Sequence, residues 1–290
     1  MEKLRIENHL KSRSISAITA TAYRLLAQNM KLWTKRLWLW VVLIAVASGI
    51  AYAAAMMIPP EKSALAILTY WCITAVASLV WLFLGATATG KVMAVLKEQK
   101  SGNNIKRALQ LSFLIAIILV VAVVVFYAIS ISLALYWQVK ALYIHVLIAM
   151  GVALITALIL LPTCYSGMRY LAEDDIKLSS VLGKNYIVGV RYYWRLLMTV
   201  FVTMLIGILL ASLLAAPLGV MTVASLQDAL GIYLGDPSGM PSTMPLLLFF
   251  AAFIATLACS FVWLWQLFCI YYQYGSITTR IKEYEKAIND

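Results

Sequence analysis

The side chains able to do acid–base, nucleophilic or metal chemistry are few, and their spacing suits none of it. There are two histidines, His9 and His145. Imidazole-based metal sites need two or more His at fixed spacing, and no His-x-x-x-His or Glu-x-x-His pattern occurs. His9 lies in a polar head, where solvation is expected. His145 stands beside Tyr143 near the outer end of an apolar stretch, where interfacial hydrogen bonding outweighs catalysis. Cys72, Cys164, Cys259 and Cys269 fall within or at the ends of apolar stretches, and none forms a Cys-x-x-Cys pair. They read as small packing residues with no disulfide. Ser-Gly pairs occur at Ser166-Gly167 and Ser238-Gly239, but a serine nucleophile needs a positioned base and none accompanies them. Gly-x-Ser-x-Gly and a phosphate-cradling Gly-rich loop with Lys are absent. All 12 acidic residues lie outside the apolar stretches, whereas ion-coupled pumps usually keep a carboxylate near the membrane midplane. The expectation is no catalytic residue, no metal and no cofactor; ATP-driven work would require a separate subunit.

The elements that carry these residues follow from composition. The chain is 63% hydrophobic and 12% charged, against about 25% charged in soluble domains, and its mean hydropathy is +0.90. Only helices and closed barrels satisfy their backbone in lipid. The apolar runs are long and lack period-two alternation, so helices are expected. The fold class is therefore all-α, a polytopic transmembrane bundle of about six spans. The spans read as Leu37–Met57, Ala64–Gly90, Ala108–Trp137, Ala141–Met168, one within Leu196–Leu226, and Met244–Tyr274. The first is too long for a cleavable signal and follows a long polar segment. The divisions are a head over residues 1–36, a membrane domain over 37–275 and a tail over 276–290, with no room for a soluble catalytic domain.

Basic residues give the orientation. Of 23 Lys and Arg, only Lys62 and Lys140 fall in the loops of one side; the other 21 lie in the head, the second and fourth junctions and the tail. Basic loops stay cytoplasmic, so both termini are expected inside a bacterial inner membrane. The net charge of +11 reads as contact with anionic headgroups of the inner leaflet. No nucleic-acid partner is expected, because only short cytoplasmic segments exist. Trp33, Trp38 and Trp40, then Tyr136, Trp137 and Tyr143, then Tyr192, Tyr193 and Trp194, and finally Tyr271, Tyr272 and Tyr274 flank the spans as an interfacial belt.

Two cytoplasmic stretches are amphipathic. In Ser14–Trp33, the residues Ile15, Ile18, Ala22, Leu25 and Leu26 share a helical face. In Ile176–Trp194, Leu178, Val181, Leu182, Tyr186 and Tyr193 recur at near-helical spacing. Both are expected to lie along the inner leaflet. Pro162 and Pro217 should kink spans four and five, freeing carbonyls and opening room for a cavity. Gln266, in the inner half of span six, suits helix–helix hydrogen bonding. Small residues four apart, Gly85 with Thr89, Ala86 with Gly90 and Ala211 with Ala215, make packing seams for the bundle or an oligomer. The outer segment Gln227–Pro245 reads as a short helix and a turn-rich loop.

Spans two, four and six end in Thr89-Gly90-Lys91, Ser166-Gly167-Met168 and Tyr274-Gly275-Ser276, with Glu98, Asp175 and Glu283 eight residues beyond each Gly. This suggests three helical hairpins, each running into a cytoplasmic helix. Six spans, amphipathic inner segments and a Gly closing each even span resemble uncharacterised bacterial six-helix membrane proteins, similar to the membrane domains associated with glycerophosphodiester phosphodiesterases. The resemblance implies envelope biology and not hydrolysis, because the acidic metal cluster of the phosphodiesterase domain is absent. The expected role is non-catalytic, in envelope organisation, assembly or lipid contact, with a homo-oligomer or another membrane protein as possible partner. The alternatives are a channel or permease subunit resting on the kinked spans, and an intramembrane lipid-modifying enzyme. With the native cysteines replaced, a cysteine at position 236 should react with an impermeant maleimide from outside, and cysteines at 100 and 282 only from inside. External labelling at 282 would overturn the orientation.

Overall fold

The computed structural model describes residues 10–56, 64–136, 142–235 and 241–289. These form ten α-helices, with no strand among the described residues: α1 (Ile15–Gln28), α2 (Met30–Met56), α3 (Ala64–Leu96), α4 (Ser101–Tyr136), α5 (Leu142–Leu160), α6 (Thr163–Ala172), α7 (Lys184–Arg191), α8 (Tyr193–Leu214), α9 (Ala216–Leu234) and α10 (Met244–Asn289). Five stretches are long and apolar enough to cross a membrane, and the bent pair α5–α6 makes a sixth. At ~1.5 Å per residue α10 is roughly 69 Å long, against ~30 Å of bilayer hydrocarbon, so it extends well beyond the bilayer. It packs on α1, α2, α6, α8 and α9.

Several boundaries differ from those read in the sequence. α2 starts at Met30, not after Arg36, because nothing in Lys31–Arg36 breaks a helix. The interruption falls at Asn29, whose side-chain amide donates to Leu25 O at 2.9 Å. The tail is no separate unit, since α10 continues through it to Asn289. Span four is broken by 45° between α5 and α6. The fifth apolar stretch is interrupted at Ala215, between α8 and α9; Pro217 follows in the first turn of α9, where its missing N–H loses no helical bond. The stretch 176–194 is not one helix: a single 3₁₀ turn, Leu178–Ser180, precedes α7.

The bundle is closed at one end by polar contacts. At the closed end the two ends of the described chain meet: Arg280 Nε donates to Ser12 Oγ at 3.0 Å, and the Arg13 backbone N–H to Ser276 Oγ at 2.9 Å. This is also the polar end of the molecule. Its apolar core centres on Trp33, Tyr165, Phe268 and Tyr272, with the Trp33 and Phe268 rings 5.0 Å apart. The α1 face bearing Ile18, Ala22, Leu25 and Leu26 is buried in this core and packs on α10. It covers protein rather than the leaflet expected from sequence. Away from the polar end, α4, α5 and α8 expose Val, Leu and Ile side chains along most of their length, and α5 packs mainly on α4.

Two local geometries set the α3–α4 hairpin. Gly90 lies where an added Cβ would stand 2.5 Å from Ile105 Cα, so the backbones touch directly. At the end of α3, Gln99 N–H bonds Ala94 O and Glu98 N–H bonds Val95 O. This is the paired-bond C-terminal cap that usually holds Gly in the left-handed conformation, and here Glu98 adopts it at φ 52°. The Gly–acid repeat is therefore uneven. Gly90 and Gly167 pack closely on α4 and Gly275 is buried, but Glu98 caps a helix, Asp175 lies in a loop and Glu283 is exposed within α10.

Gly90→Val should separate α3 from α4 at a loss of about 1–3 kcal/mol. Glu98→Gly, which relieves a left-handed L-residue, should raise stability by about 1 kcal/mol. Thermal unfolding followed by circular dichroism in mild detergent measures both; a destabilised Glu98→Gly would contradict the cap.

Candidate functional site

Most buried polar side chains gather at the polar end, where α3, α4, α6, α7, α8 and α10 converge. Arg107 stands in the second turn of α4 and is 8% exposed. Its guanidinium reaches the carbonyls of Tyr170 (Nε, 3.0 Å), Asp174 (Nη1, 3.0 Å), Glu173 (Nη2, 2.8 Å) and Ile176 (Nη2, 2.9 Å). It also lies 4.1 Å from the Tyr170 ring centroid. The last carbonyls of a helix have no intrahelical donors, and Arg107 supplies them at the end of α6 and through the following loop. Lys97 fixes the same loop, with Nζ 2.5 Å from Asp174 Oδ1 and 3.1 Å from Asn104 Oδ1. Gln99 Nε2 donates to Asp174 Oδ2 at 2.9 Å. These donors hold the Asp174 carboxyl below the usual carboxylate range, the hydrogen bond from Lys97 contributing most and that from Gln99 next.

A second set joins α6, α7 and α10. Glu173 accepts from Tyr274 OH at 2.5 Å and from Arg169 Nε at 3.2 Å. Arg169 also donates to Asn185 Oδ1 at 3.0 Å. On the far side, Arg195 Nη2 donates to Ser276 Oγ at 2.9 Å and to Arg13 O, and Gln273 Nε2 reaches Arg195 O at 3.4 Å. Backbone carbonyls and side-chain oxygens both serve as acceptors, and the arrangement clamps helix ends together.

The break at Pro162 is filled. Proline cannot donate to Leu158 O, and the bend leaves the next carbonyls unserved as well. Tyr193 OH donates to Leu158 O at 3.4 Å, Tyr186 OH to Ile159 O at 2.8 Å and Thr163 Oγ1 to Leu160 O at 2.5 Å. Gly189 presses on Pro162, so that a Cβ there would stand 2.6 Å from Pro162 O. Where a cavity is expected at this kink, α7 packs against it.

The remaining residues singled out in the sequence stand apart from one another. Gln266 Nε2 reaches Thr203 O of α8 at 3.4 Å, over Gly207, where any Cβ would meet the amide at 2.1 Å. His145 is half-buried in the first turn of α5. Gly167 faces Leu111, whose Cδ2 would stand 3.2 Å from an added Cβ, and the Gly275 carbonyl accepts from Thr279 Oγ1 at 3.0 Å. The structure does not bring these positions together with Pro162 and Pro217 into one site. Among the described residues no group of three or more His, Cys, Asp or Glu could hold a metal ion. Arg107, Lys97, Glu173, Asp174 and Asn185 do not stand out in the sequence as site residues. Their one sequence signal is that all lie in the segments between spans or close to a span end, the charged ones among the basic and acidic residues that mark those segments.

The fold is that of a multi-pass α-helical membrane protein. No family model, curated protein or solved structure matches the chain.

Arg107→Gln should cost at least about 3 kcal/mol, since hydrogen bonds to charged groups contribute ~1.5–3 kcal/mol each. Arg107→Lys should not restore it, because an ammonium lacks the planar fork; unchanged melting of either variant would refute the clamp. Asp174 has a depressed folded pKa, so its contribution is present above the unfolded value of ~3.9 and lost as pH falls through and below it. Asp174 is 43% exposed, so the effect is small. Asp174→Asn should flatten the acid limb of a melting-temperature profile below about pH 4 and leave the order of stabilities above pH 5 unaffected by pH.

Proposed function

We propose that this chain is a non-catalytic multi-pass protein of the bacterial cytoplasmic membrane, with both termini in the cytoplasm, acting in envelope organisation, assembly or lipid contact. The one-sided distribution of Lys and Arg supports the orientation. So does the meeting of Ser12–Arg13 with Ser276–Arg280 at one end of the bundle.

One observation carries the reading. Among the described residues the buried charged and amide side chains are Arg13, Asn29, Asn104, Arg107, Asn185 and Gln273. All lie at the polar end, and each has structural work there. Asn29, Asn104, Arg107, Asn185 and Gln273 hydrogen-bond backbone or neighbouring side chains, and Arg13 lies over the Tyr272 ring at 5.0 Å. The apolar clefts between the spans contain no charged or amide side chain. Polar chemistry is thus spent on a rigid base, and the spans present hydrocarbon to the bilayer. Beyond the base, α10 projects with Tyr284 and Ile288 exposed four residues apart on one face, a surface for a second copy or a membrane-protein partner.

In proteoliposomes the pure protein should give no flux of small ions or solutes above protein-free vesicles. Flux that disappears in Pro162→Ala or Gln266→Leu would replace this reading with a permease, and turnover abolished by a single polar substitution would replace it with an enzyme.

A further inference from the structure

An apolar crevice of about 460 Å³ lies between α2 and α10, bounded by Trp33, Trp38, Val42, Ile254, Ala258 and Leu264. Its length is informative. Along α2 it runs from Trp33 to Val42, and along the antiparallel α10 from Leu264 back to Ile254. At ~1.5 Å per residue both walls are roughly 14–15 Å long, which is about half of the ~30 Å hydrocarbon thickness. The crevice therefore has the depth of a single leaflet. The larger cleft among α2, α3 and α4, which runs from Ile73 to Thr89, is roughly 24 Å deep by the same measure and has no such match.

The crevice begins at the charged end of α2. Lys31, Lys35, Trp38 and Val42 recur at i, i+4, i+7 and i+11, which places them on one helical stripe. The first two are exposed cations, and the last two line the crevice. No Asp or Glu occurs anywhere between residues 8 and 60, so α1 and α2 supply no neutralising acid. One stripe thus offers positive charge at the headgroup level and an apolar slot directly beneath it.

We infer that this crevice holds one acyl chain of an anionic phospholipid from the leaflet at the polar end, with its phosphate at Lys31 and Lys35. Basic positions beside grooves between spans favour acidic lipid headgroups. The chain fills the space that Ala258 leaves between α10 and α2, and the lysines select the headgroup. The inference deepens the lipid-contact side of the proposed role and rests on it.

The full-length protein, equilibrated in detergent with equal amounts of phosphatidylglycerol and phosphatidylcholine of identical chains, tests it by native mass spectrometry. Wild type should retain one lipid and favour phosphatidylglycerol by about tenfold or more. The double variant Lys31→Gln/Lys35→Gln should retain a lipid without headgroup preference. Ala258→Phe should lose the lipid. Val42→Phe, which fills the slot from the other wall, gives an independent reading should Ala258→Phe not fold, as judged by its melting curve. Equal retention of both headgroups by wild type, or a bound lipid that survives both folded Phe variants, overturns the site. Solute flux from protein that still shows the selective lipid would sink the proposed role and leave the crevice standing.

Discussion

A carbonyl freed inside a membrane-sized bundle cannot turn to water, and lipid offers it nothing. This constraint organises the structure. The chain breaks its fourth span at Pro162 and then runs through an irregular loop before α7, which exposes two successive sets of acceptors. Tyr186, Tyr193 and Thr163 serve the first set, and Arg107 serves the second. The donors come from α4, α7 and α8 as well as α6 itself, so satisfying the backbone of one span fixes the positions of three other helices. The polar end is rigid because its helices share a single hydrogen-bonding problem.

The same logic separates the two ends of the molecule. Apolar side chains between spans gain little by leaving lipid, because lipid is equally apolar, and close backbone approach and polar contacts must hold the helices. Gly90 against Ile105 and Gly189 against Pro162 give such approaches, and both lie near the polar end. Along most of α4 and α5 the large apolar side chains face outward, and a groove remains among α2, α3 and α4. A packed base with open apolar walls is the outcome, and it is the geometry on which lipid contact would depend.

Much of this was legible in the residues. Hydrocarbon-length runs gave the helices, and the Lys and Arg pattern put head and tail on one side; Arg13 and Ser276 do lie together. Gln266 was legible because an amide inside an apolar run has to bond a neighbouring helix. Less was legible where a side chain acts at long range. Pro162 announced a break, but the residues that fill it lie roughly thirty positions later, and no local pattern links Tyr193 to Leu158. Arg107 was counted as a topological charge, although its role depends on the fold bringing the end of α6 alongside α4. The face of α1 was correct as a face and misassigned in partner, since an amphipathic stripe reports that something apolar covers it without saying whether that is protein or lipid. Pro217 announced an interruption in the fifth apolar stretch, but not that the break falls at Ala215 with Pro217 in the first turn of the next helix.

The position of α10 in the chain has a consequence for biogenesis. It leaves the ribosome after α1 to α9, yet it is the common neighbour of α1, α2, α6, α8 and α9. Until it is made, Trp33 lacks Phe268, Glu173 lacks Tyr274, and the loop at Arg13 lacks Ser276. The earlier helices must wait in the bilayer as a loose assembly whose centre is missing, exposed to quality-control proteases and to mispairing. Closure of the whole base then becomes a single late event, made across sequence separations of 101 to 263 residues, which is the kind of distant pairing that slows folding.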